Sequence, residues 1–186
     1  MSTMINYCSG TYNYTGISMP EVGEMSNKTF TNDVKDTVHK WLMDDGWKVG
    51  KRTFPEAAWA FVAEDNLGRK IIVGQRSDRR DELLIQAQVT FNDDDRAKLD
   101  SLPQDGRDNF LWDLRFELLR TNLDFRGIQL PLKNMEVMLR ISSDALTKDA
   151  FRQGISQVAK GILIIQWTFM RKFAQQPPQK QMGFLK

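Results

Sequence analysis

The chain has 186 residues, 41% hydrophobic and 27% charged, with 26 Lys and Arg against 24 Asp and Glu, one cysteine (Cys8) and one histidine (His39). This length suits one domain able to bury roughly 70% of the surface its unfolded form exposes. A single cysteine makes no internal disulfide, one Cys and one His build no protein-only zinc or iron–sulfur cage, and a net charge of +2 draws the chain neither to nucleic acid nor to anionic lipid.

Residues 1–30 are rich in Ser, Thr, Asn, Gly, Tyr and Met, and no basic cluster precedes an apolar stretch, so no secretory signal is read and the expected location is cytoplasmic. With no sustained periodicity they read as a flexible N-terminal arm, although Tyr7, Tyr12 and Tyr14 give it aromatic groups able to pack on a partner or on the domain's own sheet. The domain is expected over 31–174. Its first helix reads from Asp33 to Asp45: Thr31, Asn32 and Asp33 offer capping oxygens, Val34, Val38, Trp41 and Leu42 recur at helical spacing, and Gly46 stops it.

Strand candidates follow at Trp47–Thr53, Ala57–Glu64 and Arg69–Arg76, the last two joined as a hairpin through the turn-forming Asp65-Asn66-Leu67-Gly68. The clearest strand is Leu83–Phe91. Leu83, Ile85, Ala87, Val89 and Phe91 fall on one face, and Leu84, Gln86, Gln88 and Thr90 fall on the other, which should largely meet water. Asn92 then caps a short helix that ends at Pro103. A second helix, from about Asp108 to Thr121, is apolar around most of its circumference and keeps only Asp113, Glu117 and Arg120 as a narrow polar stripe.

Leu123–Leu130 and Asn134–Ile141 complete the strands. A last helix from Thr147 to Ala174 carries an inward stripe of Phe151, Ile155, Val158, Ile162, Ile165, Phe169 and Phe173. Its second half is apolar all round, but Lys160 and Arg171 bound a stretch about half the length a bilayer requires. Two readings fit that half: a core helix, or a helix whose far side is buried by a second copy. Pro177 and Pro178 end it, and 175–186 read as a disordered basic tail. From Arg171 onward there are four cations and no acid, which leaves 22 basic against 24 acidic groups before it. The body is slightly acidic.

Phosphate-loop, dinucleotide and esterase signatures are absent from the sequence. His39 sits off the apolar stripe of its helix, as a solvated or edge residue. Asp93, Asp94 and Asp95 are better explained by the helix start than as metal ligands, and the loop from Arg76 to Glu82 alternates cations with acids and neutralises itself. Core packing is the default for Trp41, Trp47, Trp59, Trp112 and Trp167. No catalytic, cofactor-binding or metal-binding residue is assigned.

The order α-β-β-β-(β)-α-α-β-β-α, an α+β fold with an antiparallel sheet and helices packed mainly on one face, resembles class I type III secretion chaperones and YbjN-like proteins. The text His39-Lys40-Trp41-Leu42-Met43-Asp44-Asp45-Gly46-Trp47, with the later pairing of Arg69–Arg76 and Leu83–Phe91, is similar to an uncharacterised prokaryotic domain-of-unknown-function family in that group. The resemblance implies a homodimer that holds an extended segment of a client protein without turning over a substrate. From the residues themselves, two helices hold more apolar surface than one sheet face can cover. Trp112, Phe116, Leu119, Leu163, Ile164, Trp167 and Met170 are therefore expected to form a dimer or partner surface. The alternative is a small-molecule or nucleotide sensor with a pocket between sheet and helices, Arg76, Arg79 or Arg80 at its mouth.

Overall fold

The computed structural model describes the backbone of residues 26–174 and the side chains of 33–173. Expectations for 1–25, with Cys8 and the three tyrosines, and for 175–186 fall outside the described residues. The elements are α1 (Ser26–Asp44), β1 (Lys48–Lys51), β2 (Ala57–Glu64), β3 (Lys70–Arg76), β4 (Glu82–Thr90), α2 (Asp93–Asp100), α3 (Gln104–Leu119), β5 (Asp124–Arg126), β6 (Asn134–Ser142) and α4 (Lys148–Ala174). The predicted order is observed, with four strands before α2. Helix α1 starts at Ser26, before Asp33, and α3 at Gln104, directly after Pro103, which serves as its N-cap.

All six strands form one antiparallel sheet in the order β1-β2-β3-β4-β6-β5. Register places Phe61, Val73, Ile85 and Leu139 in one row across four strands. Ala60, Gly74, Leu84 and Arg140 make the neighbouring row on the opposite face. The first row faces the helices: Phe61, Val73 and Ile85 are buried with Ile71, Leu83, Ala87, Met135 and Val137. Period-two alternation thus assigns one sheet face to the core, the dominant source of folding free energy.

Helix α4, about 40 Å long, lies across β4 and β6 with Phe151, Ile155, Val158 and Ile165 buried, and Ile162, Phe169 and Phe173 partly buried against the core. Its closeness to the sheet depends on Gly154 and Gly161, two turns apart on the inward face. A Cβ on Gly154 would sit 2.8 Å from Ile85 Cδ1 and 3.0 Å from Leu139 Cδ2, and one on Gly161 would sit 2.6 Å from Leu123 Cδ1. Helix α1 covers the other end of the sheet through Val34, Val38 and Leu42. Trp41 meets Phe151 of α4 with ring centroids 5.6 Å apart. Helix α3 joins through Phe110, packed edge-to-face on Phe169 at 5.9 Å.

Two expectations need correction. Leu123–Leu130 is not a strand throughout: only Asp124–Arg126 pair with β6, because Gly127 adopts a φ of +83° and turns the chain away. Ile128 and Leu132, beyond that turn, are buried as loop residues, and Arg115 of α3 donates to the Ile128 carbonyl. The open face of β4 also does not simply meet water, since Leu84 and Gln86 are half-buried in a concavity described below.

Candidate interaction surface

On α3 the buried residues Phe110, Leu111, Leu114 and Leu118 define the face toward the core. At 100° per residue, Phe116 points opposite to Leu114 and Leu118, with Trp112 and Leu119 one turn to either side. On α4 the buried set is likewise opposed by Leu163 and Trp167. Trp112, Phe116, Leu119, Trp167 and Met170 are between 54% and 64% exposed, which makes them five of the seven large hydrophobic side chains exposed among the described residues. Leu163 and Ile164 are half-buried. The surplus expected from composition therefore lies on the outward sides of α3 and α4. Core packing, the default for tryptophan, holds for Trp59, Trp41 and Trp47 but not for Trp112 and Trp167.

The α3 stripe is held in place. The Trp112 and Phe116 rings lie 5.8 Å apart, and the Arg115 guanidinium sits 4.9 Å over the Trp112 ring while it donates from Nη2 to the Ile128 carbonyl at 2.7 Å. Such contacts reduce the freedom that these side chains would lose on binding. Glu117 lies 3.8 Å from Arg171 of α4 and 3.5 Å from Arg120, so the polar rim is tied across both helices. The polar stripe expected of Asp113, Glu117 and Arg120 is the flank of α3 that faces α4.

The opposite face of the sheet carries a hollow of about 370 Å³. Its floor is Ala60, Ile72, Gly74, Leu84 and Met138, and charged side chains of Arg76, Arg79, Glu82, Arg126, Glu136 and Arg140 surround it. The pocket expected between sheet and helices is thus displaced to the face the helices leave open; Arg76 and Arg79 line it and Arg80 does not. Much of the rim is already neutralised. Arg76 is bidentate on Asp78 at 2.8 and 3.0 Å, and its hydrogen bonds hold that carboxyl below the usual range. Glu82 lies between Arg79 at 3.6 Å and Arg140 at 3.8 Å, and Arg140 also pairs with Asp124. The hairpin loop beside it is anchored from below by buried Gln75, which accepts from Trp59 Nε1 at 2.9 Å and donates to the Arg80 carbonyl at 2.8 Å. Sequence reasoning missed this anchor, because a glutamine in a strand gives no sign of which groups it will meet.

The remaining candidates have structural roles. His39 is half-buried, its ring 5.1 Å from Phe61. Asn92 accepts from the Asp95 amide at 2.8 Å as the N-cap of α2, with Asp93, Asp94 and Asp95 in the first turn. Asp45, at the end of α1, receives Arg152 Nε at 2.8 Å and a second bond from Nη2, while Lys148 approaches Asp44 at 3.3 Å. The Arg152 bond holds the Asp45 carboxyl below its ordinary range against the opposing effect of burial, with further help from the charges of Arg152 and Lys148.

Residues 34–169 match the family model described as an uncharacterized conserved protein, DUF2299. The chain belongs to this family. The match takes in the sheet, both helices of the apolar face up to Phe169, and most of α1. Among solved structures, an uncharacterized protein from Methanothermobacter thermautotrophicus is similar to this DUF2299 chain at 25% identity and a TM-score of 0.71, over 75% of this chain and 98% of that one. YbjN from E. coli follows at 16% identity and 0.44, over 76% and 93%, and the ExsC–ExsE complex at 16% and 0.49, over 74% and 92%. Only the first of the three exceeds a TM-score of 0.5 and serves as a relative in fold. No curated protein matches the chain. No helix among the described residues is long and apolar enough to cross a membrane.

Proposed function

We propose that this DUF2299 protein is a non-enzymatic, cytoplasmic protein-binding module, chaperone- or adaptor-like, which engages protein through the outward face of α3 and α4. The observation that carries this reading is the concentration of Trp112, Phe116, Leu119, Trp167 and Met170 on that face. Large apolar side chains exposed in a group, rather than scattered singly, mark interaction sites. Two tryptophans and a phenylalanine on a pre-ordered surface are also the residue types that dominate interface energetics. Of the charged side chains beside them, Arg115 lies over the Trp112 ring, and Glu117 pairs with Arg120 and Arg171.

The test is a photo-crosslinking amino acid placed at position 116 or 167 in the full chain and irradiated in the native cell, with position 67, an exposed leucine in a turn, as control. Covalent protein adducts at 116 and 167 but not at 67 are expected. Equal adducts at all three positions, or none, would overturn the reading.

A second reading, a small-ligand sensor, draws on the open-face hollow. An increase in melting temperature with a metabolite or nucleotide, abolished by Arg76→Ala at the rim of the hollow in a chain that still folds, would favour it. Absence of any shift across such a panel would count against it.

A further inference from the structure

From the lining of the open-face hollow we infer that it is a binding site for a small monoanionic carboxylate with a flat apolar body of one or two rings, an aromatic acid by chemical class. This rests on the ligand-sensor reading of the hollow and names the class of its ligand.

The floor sets the shape of that body. Ala60, Gly74 and Leu84 are register partners on β2, β3 and β4, and Ile72, Gln86 and Met138 form the next row on β3, β4 and β6. Three neighbouring strands give a floor about 10 Å wide, and rows two residues apart lie about 7 Å from one another, the footprint of one or two fused rings. The floor is also smooth. Ala60 offers only a methyl group, and no side chain can replace Gly74, because a Cβ there would stand 2.5 Å from the Trp59 carbonyl oxygen. Ala60 and Met138 are only 8% and 3% exposed on the face that the helices leave open. They lie beneath the aliphatic stems of the surrounding charged side chains, so the site is recessed. Its volume of about 370 Å³ falls in the range of small-molecule sites.

The walls set the charge. Arg76, Arg79, Arg126 and Arg140 line the hollow with Glu56, Glu82 and Glu136, a surplus of one positive charge. Asp78 and Asp124, which hold Arg76 and Arg140, are not part of that lining and grip the two guanidinium groups from outside. A guanidinium carries more N–H groups than one carboxylate can occupy, so both arginines are fixed in place with donors to spare. Glu82 approaches Arg79 and Arg140 only at 3.6 and 3.8 Å, beyond hydrogen-bond length. Arg126 makes no ion pair among the described residues, although its register partner is Glu136. The walls therefore offer an excess of donors, which an acceptor-only group such as a carboxylate meets with charge-assisted bonds. A single negative charge balances the surplus. A nucleoside di- or triphosphate would set further negative charges against the three glutamates.

The test is a titration of the full chain, methyl-labelled at Leu and Met, followed by NMR. 2-Naphthoate is expected to shift the methyl signals of Leu84 and Met138 saturably and to leave those of Leu119 and Met170 on the helices unmoved. 2-Naphthamide has the same body without the charge, and octanoate the same charge without the flat body; each should need about tenfold higher concentration or more. The double variant Arg79→Gln/Arg126→Gln, its fold checked by a dispersed methyl spectrum, should bind 2-naphthoate about tenfold more weakly and 2-naphthamide within about twofold of wild type. If it does not fold, the two single variants replace it, each expected to weaken the acid and not the amide. Equal binding of acid and amide, equal binding of octanoate, shifts at Leu119 and Met170 in place of Leu84 and Met138, or folded variants that bind like wild type would each overturn the inference. ATP that shifts Leu84 and Met138 while 2-naphthoate does not would remove the aromatic acid and leave the ligand sensor standing. No shift at these two residues with any of the four compounds would remove both.

Discussion

The carboxylate of Glu117 lies 3.8 Å from the guanidinium of Arg171, joining the polar flank of α3 to the last turn of α4. Both groups are substantially exposed, so the pair adds little to stability. Its consequence is positional: it marks the level at which the polar flank of α3 meets the end of α4. The buried counterpart of this contact is the packing of Phe110 on Phe169 and Phe173, at 5.9 and 6.2 Å.

Adjacent leucines on α3 should separate core from surface. Leu118 is fully buried and Leu119 is 64% exposed. In urea denaturation at sub-micromolar concentration, where association is absent, Leu118→Ala should cost about 2–5 kcal/mol and Leu119→Ala no more than about 0.5 kcal/mol. Equal losses would mean that the outward face is occupied within the single chain.

The approach of α4 to the sheet should not tolerate a branched side chain. Gly154→Val directs new atoms into Ile85 and Leu139, whose methyls already stand at 2.8 and 3.0 Å from a Cβ there. A loss of about 1–3 kcal/mol is expected from overpacking, read by thermal or urea unfolding; unchanged stability would show that α4 can lift without cost.

Replacing Gln75 by Leu leaves the Trp59 indole N–H and the Arg80 carbonyl without their partners. The unpaired buried Trp59 N–H costs about 1–3 kcal/mol, and amide exchange in the loop from Ser77 to Asp81 should accelerate because its anchor is gone. Stability loss without faster exchange in that loop would place the role of Gln75 in the core alone.

The clasp between α1 and α4 should weaken in acid. Arg152 keeps the Asp45 carboxyl below its ordinary value, so the contribution is full above the unfolded-state pKa, near pH 4, and is lost as the pH falls through the lower folded value. Asp45→Asn removes it at every pH. The stability difference between wild type and this variant should therefore be constant from pH 5 to 7 and shrink below about pH 4, as followed by urea titrations at a series of pH values. A constant difference down to pH 2 would contradict the assignment.

Much of this architecture was legible because it is local. The alternation in Leu83–Phe91 and the four-and-three spacing from Phe151 to Phe173 each specify a buried face without reference to the rest of the chain. The apolar surplus of α3 and α4 was legible too, since a helix apolar around its circumference must be covered on more than one side. Long-range or conformational features were not. Gly127 ends β5 through a positive φ that its neighbours do not announce, and the hollow over Gly74 and Leu84 depends on which sheet face the helices choose.

Photo-crosslinking in the native cell from positions 116 and 167 of the full chain, beside position 67, tests the central claim most directly. The account predicts covalent protein adducts at 116 and 167 and none at 67. Adducts at all three positions in equal yield, or at none, would contradict it.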